Sequence, residues 1–186
     1  MTKSRLQRGS TMIEVLVTLV IVAFGLLGLG SLQMRLQLSD MESYQRAQAL
    51  VLLDDITSRI AANRDQASTY VTGASTPFGT GMTCPTDSTT LKETDILQWC
   101  NALQGAAEKI GGSKVGAMIG ARGCIENLGI NTYLVTVAWQ GMTPTVAPPS
   151  SVGCGAGSYA DQGSSGCTGD LCRRAVTTIL NLATLN

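Results

Sequence analysis

Gly9-Ser10-Thr11-Met12-Ile13-Glu14 opens the stretch that decides the fold, and the chain runs on from Val15 to Met34 without a charge. Glu14 stands at its head and Arg35 closes it, so 20 consecutive residues separate the two charges. An α-helix rises about 1.5 Å per residue, and about 20 apolar residues cover the hydrocarbon core of a bilayer. A soluble core helix rarely stays uncharged on every face for so long. The stretch therefore predicts a membrane span.

The residues ahead of it orient the span. Lys3, Arg5 and Arg8 place three positive charges and no acid before the apolar run. The positive-inside rule keeps this end in the cytoplasm and sends the rest across. A secretory signal would end in a small-residue cleavage site after its apolar core. Here the apolar run continues into an amphipathic pattern, and the processing point, Gly9, lies before it.

This order resembles the type IV pilin family and the related pseudopilins of type II secretion. The resemblance implies that a membrane-embedded aspartyl peptidase, the prepilin peptidase, cuts between Gly9 and Ser10. It also implies that Ser10 becomes the N-methylated mature N-terminus and that Glu14 is retained within the membrane. The family usually has Phe or Met where this chain has Ser10. A carboxylate in mid-bilayer costs about 2.5–3.5 kcal/mol on insertion scales, so such acids take partners. No Lys or Arg lies within helical reach inside the span. Cleavage frees the α-amine of Ser10, a cation whose reference pKa is about 7.7–8.0. Its partner is Glu14 of its own chain or, as the resemblance implies, of a neighbouring subunit.

With 186 residues, the chain has room for one modest domain beyond the anchor. The expected division is a cleaved leader at 1–9, a transmembrane and polymerisation half-helix at 10–34, and a periplasmic, later extracellular, domain at 35–186 that includes the amphipathic half-helix. Loss of the leader's three positive charges leaves ten basic residues against 13 acidic ones, with no nucleic-acid footprint. All six cysteines, Cys84, Cys100, Cys124, Cys154, Cys167 and Cys172, follow the span. An even number beyond a translocating anchor predicts disulfides in an oxidising periplasm. Local spacing pairs Cys84 with Cys100 and Cys154 with Cys167, leaving Cys124 for Cys172; six cysteines allow 15 pairings in all.

One helix is predicted from Ser10 to about Arg64, softened at Gly25, Gly28 and Gly30. Beyond Arg35, Leu38, Met41, Ala49, Leu52, Leu53, Ile56 and Ile60 make an apolar stripe with a gap around Gln45. Adjacent Asp54 and Asp55 read as solvated charge. Ser68 to Thr90 reads as loop. A second helix is expected from Glu93 to Ile110, with Thr94 and Asp95 at its start, Trp99 packed as core and Gly111-Gly112 at its end. Gly123 to Leu128 and Thr132 to Gln140 read as a hairpin, with Tyr133, Val135, Val137 and Trp139 on one face and Leu134, Thr136 and Ala138 on the other. Ser150 to Gly169 reads as an exposed Gly/Ser-rich loop, and Arg173 to Leu182 as a last strand.

The whole is expected to be an α+β, pilin-like fold: a long N-terminal helix on a small antiparallel sheet, stapled by disulfides. Arg46-Ala47-Gln48-Ala49, Ala61-Ala62-Asn63-Arg64, Asp95-Ile96-Leu97-Gln98-Trp99 and Val135-Thr136-Val137-Ala138-Trp139 resemble the PilV-type minor pilins. That resemblance implies a subunit that helps initiate type IV pili at the tip, supporting extension, twitching and attachment. Its partners would be other minor pilins, the major pilin, the prepilin peptidase, the inner-membrane assembly machinery and, before assembly, lipid. The alternatives are a minor pseudopilin of type II secretion, or an adhesin or surface sensor whose recognition loop is the Gly/Ser-rich segment.

Enzymatic chemistry finds little support. The chain has no histidine, which removes histidine triads and histidine-containing zinc sites. No Cys-x-x-Cys pair occurs, and Gly111-Gly112-Ser113-Lys114 lacks the P-loop order. No catalytic residue, metal or cofactor is expected.

Overall fold

The computed structural model describes residues 11–106, 109–111, 113–114, 118–160 and 166–183. Contacts divide the chain into two units, Met1–Met41 and Glu42–Asn186. Helix α1, Met12–Ala62, is unbroken through Gly25, Gly28 and Gly30. The second unit adds a 3-10 helix at Arg64–Tyr70, strand β1 (Phe78–Gly79), helix α2 (Leu91–Leu103) and the short strands β2 (Lys109–Ile110) and β3 (Ser113–Lys114). Strands β4 (Arg122–Gly129) and β5 (Thr132–Gln140), a 3-10 turn at Thr168–Asp170 and strand β6 (Arg173–Asn181) complete it.

In α1 the buried residues are Gln45, Ala49, Leu53, Ile56 and Ile60. Their spacing of three and four is one continuous row, and Gln45 fills the expected gap. Its side-chain oxygen is buried and finds no hydrogen-bond partner among the described residues. Leu38 and Met41, expected on this stripe, are 40% and 51% exposed and belong to the other unit. The row packs with Trp99 and Leu103 of α2 and with Ile125, Tyr133, Val135, Val137 and Trp139 of the sheet. Trp99 is fully buried, and its indole N–H donates to the Leu52 carbonyl at 2.9 Å. A Cβ on Gly123 would overlap the Trp99 ring, so β4 approaches α2 only because residue 123 is glycine.

Helix α2 departs from expectation at both ends. It starts at a capping box in which the Thr90 hydroxyl accepts from the Glu93 amide and the Glu93 carboxylate accepts from the Thr90 amide. Hydrogen bonds from Thr89 and Thr90 hold that carboxyl below the usual range. At the far end the Gly105 amide donates to the Ala102 carbonyl and the Ala106 amide to that of Asn101. This is the Schellman pattern, with Gly105 at φ 81°, and it stops the helix seven residues before Ile110. Ala107, within the expected helix, lies outside the described residues; Lys109 and Ile110 instead pair with Lys114 and Ser113.

Asp95, expected at the helix start, is a buried hub. Its carboxylate accepts from Arg59 at 3.0 Å and from the Tyr70 hydroxyl at 2.7 Å. Arg59 also donates to Asp55 at 2.9 Å and to Gln98 at 2.7 Å, so Asp55 is a partner rather than simply solvated charge. Asn63 donates to the Tyr70 oxygen at 2.9 Å. Burial, then the bond to Asp95, pushes the Tyr70 hydroxyl up to about 12. Below pH 10 the folded and unfolded states both keep this proton. Between about 10 and 12 only the unfolded state releases it, so stability falls as pH rises through that window. Tyr70→Phe should flatten this alkaline slope; urea unfolding at several pH values measures it.

The sheet runs β1-β4-β5-β6, antiparallel throughout. Strand β1, inside the expected loop, forms one edge. On the second face of the hairpin Thr136 and Ala138 are also fully buried, because the segment after β5 folds back over them. Cys154 and Tyr159 pack there against Cys124 and Ala138. The buried Arg173 donates to the carbonyls of Val152 and Cys154 and to Asp170, whose other oxygen accepts from the Gly157 amide. The described part of the Gly/Ser-rich segment is thus pinned, not an open loop.

Three disulfides join the six cysteines. Cys84–Cys100 is as expected. The other two expected pairs, Cys154–Cys167 and Cys124–Cys172, are replaced by Cys124–Cys154 and Cys167–Cys172. The sheet explains why: β5 lies between Cys124 on β4 and Cys172 at the start of β6. Strands lie about 4.8 Å apart, so two spacings exceed the ~7 Å Cα separation a disulfide tolerates.

Candidate functional site

The front of α1 is the one long apolar surface that the described fold leaves uncovered. Thr11 precedes the helix, and its carbonyl accepts from the amides of Glu14 and Val15 at 3.0 and 3.3 Å. Glu14 lies in the first turn, exposed. An acid there complements the positive end of the helix dipole. Gly9 and Ser10, the expected cleavage pair, lie outside the described residues.

From Val15 to Met34 side chains of every face are exposed, among them Leu16, Leu19, Phe24 and Leu27. Mean hydropathy over an 18-residue window reaches 2.6, and none of that window is buried. Thr18 turns its hydroxyl back to the Val15 carbonyl at 2.8 Å, so it adds little polar demand on the surroundings. A Cβ at Gly25, Gly28 or Gly30 would meet nothing within 4 Å. The helix is long and apolar enough to cross a membrane. The surface of its first half asks for an apolar environment, lipid or other helices, and Glu14 is the one carboxylate before Asp40.

Glu42, at the first residue of the second unit, is a contact that apolar periodicity did not reveal. Its carboxylate accepts from the Arg174 guanidinium at 3.0 Å and from the Met142 amide at 3.2 Å, tying α1 to β6 and to the turn after β5. Among the described residues no group of three or more His, Cys, Asp or Glu is placed to hold a metal. The surface has hollows of about 470 Å³ beside Cys84 and Leu97 and about 390 Å³ beside Thr76 and Arg122.

Residues 4–30 match the family model of the prokaryotic N-terminal methylation motif. No curated protein and no solved structure matches the chain. The matched span contains Gly9, Ser10, Glu14 and most of the uncharged helix, which fits membrane anchoring. The long apolar helix, the four-stranded antiparallel sheet and the three disulfides make an α+β, pilin-like architecture. At residues 4–30, therefore, the chain carries a prokaryotic N-terminal methylation motif, a type IV pilin-like prepilin signal.

Proposed function

We propose that the chain is a minor pilin that helps initiate type IV pili and enters them, supporting extension, twitching and surface attachment. The observation that carries this reading is the methylation motif at residues 4–30 leading into a helix whose apolar surface is exposed on every face. The prepilin peptidase removes residues 1–9, and Ser10 is methylated. Residues 10–34 wait in the inner membrane with the N-terminus cytoplasmic, while residues 35–186 fold in the periplasm. Assembly then exchanges lipid for the helices of neighbouring subunits. The pairing of Glu14 with the α-amine of a neighbour's Ser10 sets the register, since charged groups in an apolar filament core need partners. The protein acts by assembly rather than catalysis.

Glu14→Ala tests the reading. Membrane insertion should hold or improve, because a charge leaves the span. Incorporation into sheared filaments should fall about tenfold or more, the scale set by losing ~1.4 kcal/mol of a charged pair. Cell fractionation and quantification in sheared pili decide it, and wild-type incorporation by the variant would leave Glu14 an ordinary anchor residue. Deletion of the protein should impair twitching; a defect confined to protein secretion would favour a pseudopilin.

A further inference from the structure

Strand β6 forms one edge of the sheet, and its backbone shows which groups face outward. The Leu182 amide donates to the Asn131 carbonyl, and the Cys172 carbonyl accepts from the Gly141 amide. Both bonds fall in the register that pairs Thr132 with Asn181 through Gln140 with Arg173. Even-numbered residues of β6 therefore turn their N–H and C=O groups toward β5. Ala175, Thr177, Ile179 and Asn181 turn theirs away, and among the described residues no backbone partner meets them.

This edge lacks the usual protection. Exposed edges are normally blunted by Lys, Pro or a bulge, because unpaired strand groups recruit another strand. Ala175 to Asn181 contains no charge and no proline, its pairing with β5 is regular, and Ile179 is 58% exposed. The two charges at its start are already engaged, Arg173 with Asp170 and Arg174 with Glu42.

We propose that the β6 edge accepts an uncharged extended strand from a different prepilin-type subunit; this rests on the filament reading above. A charged strand would set an unpaired charge opposite a neutral edge. A second copy fits poorly in either direction. Parallel pairing would stack Arg173 and Arg174 of both chains. Antiparallel pairing places a two-fold axis across the sheet, and α1 lies against that sheet through Ala49, Leu53 and Ile56. The axis would then reverse residues 42–62 of α1 from one copy to the other, whereas subunits of one filament share a direction. Strand addition takes its affinity from the main chain and its selectivity from alternate side chains, here Thr177 and Ile179 on one face and Val176, Thr178 and Leu180 on the other.

The test uses the full-length chain in cells that make the filaments, with a benzophenone side chain at position 179, followed by peptide mapping of adducts. The expected adduct joins position 179 to an uncharged strand of a different prepilin-type subunit. It should fall at least about tenfold in Thr177→Pro, whose lost N–H points away from β5. Retention of all three disulfides and of protease resistance shows that the variant folds, and Ile179→Glu serves as a second block. If the chain enters filaments but yields no adduct, an adduct with its own copy or one indifferent to both substitutions, the pairing is overturned and the filament reading stands. Absence of the unaltered chain from filaments removes both.

Discussion

In cells producing Gly9→Val, the chain is expected to keep Met1 through residue 9 and to be missing from sheared filaments. The residue before the scissile bond must let the peptidase reach the backbone closely, and a β-branched side chain prevents this. Misplacement of a reacting bond by about 1 Å costs on the order of 100-fold in rate, so processing should be lost rather than slowed. Mass spectrometry of the N-terminus distinguishes an unprocessed chain from one starting at methylated Ser10. A mature start beyond residue 30 in the unaltered protein, as a secretory signal would give, would sink the prepilin reading altogether.

The second large effect is expected from removing Cys124–Cys154. This bridge spans 30 residues and both sulfurs are fully buried, whereas Cys167–Cys172 spans five. In the chain-entropy model the first is worth about 4 kcal/mol and the second about 2 kcal/mol. Cys124→Ala with Cys154→Ala should therefore lower the unfolding temperature by about 10 °C, at roughly 2–4 °C per kcal/mol for a domain of this size. It should also free the segment around Tyr159 from the outer face of the sheet. Cys167→Ala with Cys172→Ala should cost about half as much. Thermal unfolding of both double variants gives the ranking, and the reverse order would show that chain entropy does not govern these bridges.

Local pattern carried much of this fold. The uncharged run after Glu14 and the alternation from Tyr133 to Trp139 located α1 and β5, because side-chain period is set by backbone geometry alone. What escaped were features decided by partners distant in sequence. Gln45 broke the apolar pattern, yet its place on the helix row buried it. Asp95 resembled a capping residue until Arg59 and Tyr70, 36 and 25 residues away, made it a hub. Strand β1 is two residues long and exists only through its pairing with β4. Spacing found Cys84–Cys100, but strand order, which spacing along the chain does not contain, kept Cys124 from Cys172. At the candidate site Glu14 and the motif around it were legible because they are local; Glu42 and the unguarded edge of β6 were not, because each is defined by a neighbour in space.

The placement of Trp99 has a spectroscopic consequence. The chain has two tryptophans, Trp99 and Trp139, and both are buried in the core beneath α1. The uncharged half of that helix contains neither tryptophan nor tyrosine. Tryptophan emission from the whole protein, in detergent, vesicle or filament, therefore reports on the folded domain alone. The Trp99 indole bond to Leu52 makes that emission sensitive to any parting of α1 from α2, while the anchor remains optically silent.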